Sequence, residues 1–216
     1  THGIVNDSNA HPHQSANGKV VIVHNGIIEN TRQLRTSLTV QGVELQSDTD
    51  SEALAHVIER ELSIDNDPEN AVRRTLHLAR GTWGLCVLFL DHDVIVCARN
   101  GSPLIIGQGD DEMFVSSDPH ALAPYTHRVV FLEDGEIATL TNKSMKLSTL
   151  KGKNFNPSIT VLEEDWGVSE LGDYPHYMLK EIYEQPDALR HCISGRLDRV
   201  GGNGRLGGLK LAPRDL

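Results

Sequence analysis

From Gly81 onward the chain alternates short apolar runs with turn residues, and this pattern limits its possible folds more than any other feature. Six of these runs have the length and the content of β-branched and aromatic residues that are typical of strands. They are residues 85–90, 94–98, 104–106, 113–116, 129–132 and 136–140. Asp134 and Gly135 lie between the last two runs and predict a β-hairpin that joins them.

The first half of the chain predicts a different mixture of elements. Residues 20–23 are a β-branched run and predict a buried strand. Helical periodicity follows at 31–38, again after Thr49, whose spacing to Glu52 is that of a capping box, and at 70–80. A strand, helices and then more strands indicate an α+β layered domain that ends near residue 160. Beyond it, residues 163–173 are acidic and irregular. A helix is predicted at 176–183, and Pro186, three residues further on, is expected to interrupt or restart it.

The charge balance and the cysteines exclude several classes of protein. The chain has 20 Lys and Arg against 30 Asp and Glu, a net charge of −10, whereas a non-specific nucleic-acid binder carries the opposite sign. No run of about 18 apolar residues is present to span a membrane. The three cysteines, Cys86, Cys97 and Cys192, are widely spaced, which is typical of reduced thiols and predicts a cytoplasmic protein without a disulfide framework.

The segment that carries the most chemical information is His24-Asn25-Gly26, directly after the first predicted strand. One interpretation is a tight turn, which Asn-Gly favours. The other is an oxyanion hole, because the Asn25 amide and the Gly26 backbone N–H can both point at one oxygen, and a glycine lets a ligand approach the backbone closely.

Other segments agree with the second interpretation when they are taken together. They are Thr-His-Gly at 1–3, Asn-Ala-His-Pro-His at 9–13, Ser-Asp-Thr-Asp-Ser-Glu at 47–52, Arg-Asn-Gly-Ser-Pro-Leu at 99–104, Ser-Ser-Asp at 116–118, Phe-Leu-Glu-Asp-Gly at 131–135 and His-Tyr-Met-Leu-Lys-Glu-Ile-Tyr-Glu-Gln-Pro at 176–186. With His-Asn-Gly-Ile-Ile-Glu-Asn at 24–30, they resemble the class II (N-terminal-nucleophile, Ntn) glutamine amidotransferases, and the glucosamine-6-phosphate synthase branch in particular. The resemblance extends to about Arg196.

The resemblance implies a fold and a mechanism. The fold is a four-layer αββα Ntn-hydrolase sandwich, here truncated at its N-terminal side. An N-terminal cysteine attacks the side-chain amide of glutamine, and Asn25 and Gly26 hold the oxyanion. Asp50 binds the α-ammonium of glutamine, although an acid in a first helical turn is also favoured by the helix dipole. Thr1 and His2 line the carboxylate side of the substrate. The nucleophile, a carboxylate-binding arginine and a channel tryptophan would precede Thr1, so the chain as given is expected to be cut and inactive.

The resemblance also implies an organisation and partners. Residues 1–160 would form a partial type 2 glutamine amidotransferase domain, 161–180 a linker and 181–216 the start of a sugar-isomerase region. The implied substrates are L-glutamine and, at the absent domain, fructose 6-phosphate, with homodimerisation through that domain and no membrane or nucleic-acid partner. No cofactor is expected. A metal site formed by His11, His13 and His24 is disfavoured, and the dinucleotide-like pattern at 202–207 is interpreted as a loop. Two alternatives stay open: a glutamine-binding module without turnover, and another class II amidotransferase.

Overall fold

A computed structural model of the protein describes residues 3–162, 171–194, 197–198 and 203–204. The chain divides into two compact units, Thr1–Val168 and Ser169–Leu216, which are described separately below. The domain boundaries expected from the sequence, after residues 160 and 180, stay predictions.

Three α-helices lie within residues 3–162: α1 (Thr31–Val40), α2 (Asp50–Asp65) and α3 (Pro68–Leu78). The predicted helices at 31–38 and after Thr49 are confirmed. The third begins before residue 70, because Asp67 caps the N–H of Asn70 and Pro68 occupies the first turn, where its missing N–H costs nothing.

The larger sheet is antiparallel throughout and has seven strands among the described residues, in the order β1-β2-β3-β4-β8-β9-β10. Its strands are β1 (His13–Gln14), β2 (Val20–Ile28), β3 (Gly81–Phe89), β4 (Val94–Asn100), β8 (Glu136–Leu140), β9 (Met145–Thr149) and β10 (Asn154–Phe155). A smaller antiparallel sheet, four-stranded in the same part of the chain, has the order β11-β7-β5-β6. It consists of β5 (Ile105–Gln108), β6 (Met113–Ser116), β7 (Arg128–Phe131) and β11 (Thr160–Val161).

The large sheet buries both faces because its central strands are apolar on each side. On β4, Val96 and Ala98 belong to the core that contains the three helices, while Cys97 lies between them in sequence and faces the other way. Cys97 packs with Ile106 and Val130 of the small sheet in a second core. The result within residues 3–162 is a helical layer, a seven-stranded sheet and a four-stranded sheet, stacked in that order.

The far face of the small sheet packs against the irregular segment that follows a short 3-10 turn at Pro119–Ala121. Leu122 in this segment lies against Ile105 and Val129. The described residues of this unit contain no second helical layer at that face. The α+β class and the two sheets expected from the sequence are therefore present.

The hairpin predicted at Asp134 and Gly135 is wrong. A tight turn is present, with Gly135 at φ 84°, but it carries the chain from β7 in the small sheet to β8 in the large one. The Asp134 carboxylate accepts a hydrogen bond from the N–H of Gly101, and the N–H of Gly135 donates to the carbonyl of Arg99. These bonds fasten the turn to the end of β4, so the two flanking strands diverge instead of pairing.

The second unit contains α4 (Tyr177–Ile193) and a two-stranded pairing of β12 (Leu197–Asp198) with β13 (Asn203–Gly204). The helix continues through Pro186, contrary to the predicted interruption, since one missing N–H bends a helix without necessarily ending it. A short strand therefore precedes the glycine-rich pattern at 202–207, most of which lies outside the described residues. Within those residues, no helix is both long and apolar enough to cross a bilayer.

Candidate functional site

Asn25 and Gly26 lie inside strand β2 and do not form a turn. They are paired in register with Gly84 and Trp83 of β3, and the strand continues to Ile28. The tight-turn interpretation of this dipeptide is therefore wrong. The Asn25 side chain is exposed, and no described residue hydrogen-bonds its amide.

Gly26 is required by the close approach of the two strands. Its φ is 140°, and a Cβ at this position would lie 2.2 Å from the carbonyl oxygen of Thr82. Gly81 has a matching constraint on β3, where a Cβ would lie 2.0 Å from the carbonyl oxygen of Ile27. The space beside Gly26 that the sequence suggested for a ligand is thus taken by β3 on the side where a Cβ would project.

Asp50 is brought to the same place by the start of helix α2. It is the first residue of the helix, and Thr49 caps the helix through a hydrogen bond to its hydroxyl from the N–H of Glu52. The Asp50 carboxylate accepts a hydrogen bond of 2.8 Å from the backbone N–H of Ile28, two residues beyond Gly26 on β2. This bond fixes the helix start against the strand that carries Asn25 and Gly26.

The loop before α2 is held by the buried carboxylate of Glu52. That carboxylate accepts hydrogen bonds from the N–H groups of Gln46 and Ser47 and from the hydroxyl of Ser47. Burial opposes ionisation of Glu52, but these donors outweigh it and lower the pKa of the carboxyl below its ordinary value. Arg35 on α1 adds hydrogen bonds to the carbonyls of Ser47 and Thr49. The segment that presents Asp50 is therefore fixed at several points.

A cavity of about 350 Å³ lies between these elements. Its lining residues come from the N-terminal loop, β2 and the start of α2, and include Asn25, Gly26 and Asp50. The volume is at the lower end of the range for small-molecule sites. Three residues that the sequence singled out for one chemistry thus share one cavity, although they come from two elements, β2 and α2.

A chain of side-chain hydrogen bonds borders the cavity. Nε2 of His24 lies 3.3 Å from the carbonyl of Thr82, which can only accept, so this nitrogen carries the proton. Nδ1 of His24 is then an acceptor, and it receives the Ser51 hydroxyl at 3.1 Å. Nε2 of His11 lies 3.5 Å from the same hydroxyl oxygen and donates to it. The chain runs from the N-terminal loop through α2 to β2 and β3.

The imidazoles near the Asp50 carboxylate are neutral at pH 7, because the pKa of each is lowered by burial. Burial lowers the pKa of His24 and of His13, which is hydrogen-bonded to the Thr49 hydroxyl. Loss of solvation also lowers the pKa of His11. Asp50 contributes an acidic side chain to the described lining of the cavity, and an acidic side chain suits a ligand with a positive group.

The remaining sequence-based residues are Thr1 and His2, which lie outside the described part of the chain. Their assignment to the carboxylate side of glutamine stays a prediction.

Ser51 and the structural role of His24 were not anticipated. Strand alternation could have indicated His24, because it lies on the same face of β2 as the buried Val20 and Ile22. Among the described residues, no cluster of three or more His, Cys, Asp or Glu is placed to hold a metal ion.

The amino-acid sequence of the chain is similar to those of known proteins. A family model described as a glutamine amidotransferase domain matches residues 2–124. The chain is 42% identical to a glutamine–fructose-6-phosphate aminotransferase (isomerizing) of Thermus thermophilus over 218 aligned positions, which cover 100% of this chain and 35% of the relative. The Pyrococcus horikoshii protein of the same name is 45% identical, over 91% of this chain and 33% of that protein. The chain thus spans about a third of the length of these relatives.

Two solved structures have a similar fold. One is the glutamine phosphoribosylpyrophosphate amidotransferase of B. subtilis in complex with ADP and GMP, with a TM-score of 0.58 and 24% identity over 69% of this chain and 33% of that one. The other is described as the allosteric regulatory enzyme of purine biosynthesis, with a TM-score of 0.54 and 26% identity over 65% of this chain and 30% of that one. The predicted Ntn-amidotransferase fold, an α+β arrangement with two antiparallel sheets, is confirmed by this likeness.

Proposed function

Because the chain belongs to the glutamine amidotransferase domain family, we propose that its cavity binds L-glutamine and positions the side-chain amide for hydrolysis. The observation that carries this proposal is the meeting of Asn25, Gly26 and Asp50 on one cavity, with Asp50 fixed to β2 through Ile28. These residues supply one polar group for the α-ammonium of glutamine and others for its side-chain amide.

The α-ammonium of glutamine lies against the Asp50 carboxylate. Helix α2 begins at this residue and places its carboxylate on the wall of the cavity that His11 and His24 also line. An ammonium ion brought into this site gains a charge-assisted contact that strengthens as water is excluded.

The amide end of glutamine lies towards Asn25 and Gly26. During attack by a nucleophile, the amide carbonyl oxygen gains negative charge, and donors placed beforehand lower the barrier without reorganisation. The Asn25 amide is suited to this role, because it is exposed and unengaged among the described residues. The Gly26 backbone is held rigidly by its close approach to Thr82.

The larger protein proposed here is a glutamine–fructose-6-phosphate aminotransferase, the name shared by the relatives above. In that protein, hydrolysis of glutamine yields glutamate and ammonia, and the ammonia converts fructose 6-phosphate to glucosamine 6-phosphate at a second domain. A cytoplasmic homodimer that joins through that domain is part of the same proposal.

The test uses a chimera in which this chain replaces the matching segment of the Thermus thermophilus relative, so that the relative supplies the rest of the protein. Glutamate release gives kcat and KM for glutamine. Asn25→Ala should lower kcat by roughly 10²–10³ with little change in KM, because the oxyanion exists only after attack. Asp50→Asn keeps an acceptor for the Ile28 N–H and should raise KM by about 100-fold or more, because the ammonium loses its counter-charge.

Matched controls are Asn142→Ala and Asp110→Asn, which change exposed residues of the same types outside the cavity and should leave both constants unchanged. If Asn25→Ala altered only KM, the oxyanion role would be wrong. If Asp50→Asn left KM unchanged in a folded chimera, the ammonium role would be wrong.

A further inference from the structure

Two cysteines face each other across the centre of the large sheet. Cys86 on β3 and Cys97 on β4 are direct partners in the antiparallel register. Their sulfur atoms are 3.9 Å apart, and both side chains belong to the core between the two sheets. Cys97 is fully buried, whereas Cys86 is half-buried.

This arrangement satisfies the backbone requirement of a disulfide before any oxidation occurs. Residues directly opposite each other in antiparallel strands have Cα atoms about 4.5 or 5.5 Å apart. Disulfides span Cα separations of about 4.4–6.8 Å. At such Cα separations, side-chain rotation can bring the sulfur atoms of Cys86 and Cys97 to bonding distance.

The two thiols differ in reactivity and in access. The Cys97 thiol donates a hydrogen bond to the Cys86 sulfur, which lowers the pKa of Cys86, while the same bond and burial raise the pKa of Cys97. Cys86 also lines a cavity of about 250 Å³ with Asn25, Leu104 and Ser116, through which a small solute can reach it. A thiol with a lowered pKa and an access route is the one that an oxidant attacks first.

We propose that Cys86 and Cys97 form a reversible dithiol–disulfide site that reacts with small oxidants of the peroxide class. The Cys86 sulfur attacks one peroxide oxygen, the O–O bond breaks, and Cys86 becomes a sulfenic acid while water leaves. The Cys97 sulfur then attacks the Cys86 sulfur, the S–O bond breaks, and the Cys97 proton leaves with the hydroxyl as a second water. Two thiols and one hydrogen peroxide thus give one disulfide and two waters, and a dithiol reductant reverses the change by exchange.

The site is separate from the proposed glutamine chemistry, and its test does not depend on that function. The two lie close together, because Cys86 is paired with Val23 on β2, two residues before Asn25, and shares a cavity wall with Asn25. Oxidation of the pair therefore changes the wall of a cavity that reaches Asn25.

The experiment uses the full chain with Cys192→Ser, which removes the exposed third thiol on α4 and leaves β3 and β4 unaltered. Iodoacetamide labelling after denaturation should modify both remaining cysteines in the reduced protein and neither after treatment with stoichiometric hydrogen peroxide. Both labels should return after incubation with dithiothreitol. Cleavage at Asp91 or Asp93, which lie between the two cysteines, should yield peptides that separate only under reducing conditions.

A second variant identifies the order of attack. In Cys97→Ala, made in the same Cys192→Ser protein, Cys86 should stop at the sulfenic acid and be trapped by dimedone. The Cys192→Ser protein itself should give little adduct, because the disulfide forms. The proposal fails if both thiols stay available for labelling after peroxide, if labelling is lost through added oxygen atoms, or if the disulfide joins two chains. It also fails if Cys97→Ala gives no dimedone adduct at Cys86, or if dimedone marks Cys97 in the Cys192→Ser protein.

Discussion

At Gly26 the constraint on the residue comes from the protein backbone. Its φ of 140° lies outside the region open to side-chain-bearing residues, and the carbonyl of Thr82 occupies the place of a Cβ. The sequence indicated that a glycine here serves close approach, and it does, but the approaching group is a neighbouring strand.

Gly26→Ala should therefore destabilise the fold by more than about 3 kcal/mol, since backbone strain adds to a backbone clash that no side-chain rotation relieves. Gly18→Ala is the matched control, because Gly18 also has a positive φ, of 71°, but nothing lies within 4 Å of its added Cβ. It should cost only the strain, roughly 1–2 kcal/mol. Urea unfolding measures both, and equal losses would show that the contact with Thr82 contributes nothing.

Residue types in the site could be predicted from the sequence more readily than their conformations. Asn25 and Gly26 were expected to supply donors, and they line the cavity, but the alternative turn at the same dipeptide was wrong. Asn-Gly has a strong local preference for turns. In this chain the preference is overridden because β3 pairs with β2 along its whole length, an interaction between residues far apart in sequence.

Among the elements, the start of helix α2 combines a structural and a functional task. Thr49 and Glu52 were predicted to form a capping box, and the hydrogen bond from the Glu52 N–H to the Thr49 hydroxyl is present. The Glu52 carboxylate binds the N–H groups of Gln46 and Ser47. Spacing alone predicted the cap but not this loop anchor, because the loop conformation depends on contacts outside the motif.

Thr49→Ala should cost about 1 kcal/mol of stability through loss of the cap and should also raise KM for glutamine in the chimera, because Asp50 follows it directly. Asp67→Ala is the matched control, since Asp67 caps α3 through the Asn70 N–H and lies outside the cavity. Chemical denaturation should give a loss for Thr49→Ala at least as large as that for Asp67→Ala, because the Thr49 hydroxyl also bonds His13, while glutaminase kinetics should change only for Thr49→Ala. A KM unchanged by Thr49→Ala would mean that the cap does not position Asp50.

The turn at Asp134 and Gly135 shows that a local sequence pattern can predict a turn without predicting which strands pair. Strand β8 begins and ends where the apolar alternation predicted, and the tight turn is real. The partners of the flanking strands were wrong, because pairing is decided by which faces become buried between the two sheets. Gly101 and Arg99 hold the turn through contacts across 33 and 36 residues of sequence respectively, and no local signal encodes them.

For the whole molecule, the order of elements was sufficient to predict an α+β domain, but not the division of its strands between two sheets. The two cores that separate the layers both draw on β4, whose Val96 and Cys97 face opposite ways. Both faces of such a strand are apolar, so alternation gives no sign of which neighbour lies on which side.

The helical layer and the sheet are joined by a buried carboxylate whose ionisation should control stability in acid. Glu69 on α3 is 7% exposed. It accepts hydrogen bonds from Lys146 and Ser148 of β9 and Thr139 of β8, and it pairs with Arg73 on its own helix. Burial alone would raise the pKa of Glu69, but these donors prevail and lower it from 4.5 to about 2.

A carboxyl whose pKa is lower in the folded state stabilises the fold only while it is ionised. The contribution of Glu69 is therefore complete above about pH 4.5 and is lost as the pH falls towards 2, with a total on the order of 3 kcal/mol.

Urea unfolding between pH 6 and 2.5 should show that Glu69→Gln is less stable than the wild type at pH 6 and loses less stability on acidification. Glu112→Gln, at an exposed position, should follow the wild type. Glu52 also has a lowered pKa and is retained in all three proteins, so the difference between the wild-type and Glu69→Gln curves isolates Glu69. Parallel curves for these two proteins would mean that the contacts from α3 to β8 and β9 do not depend on this charge.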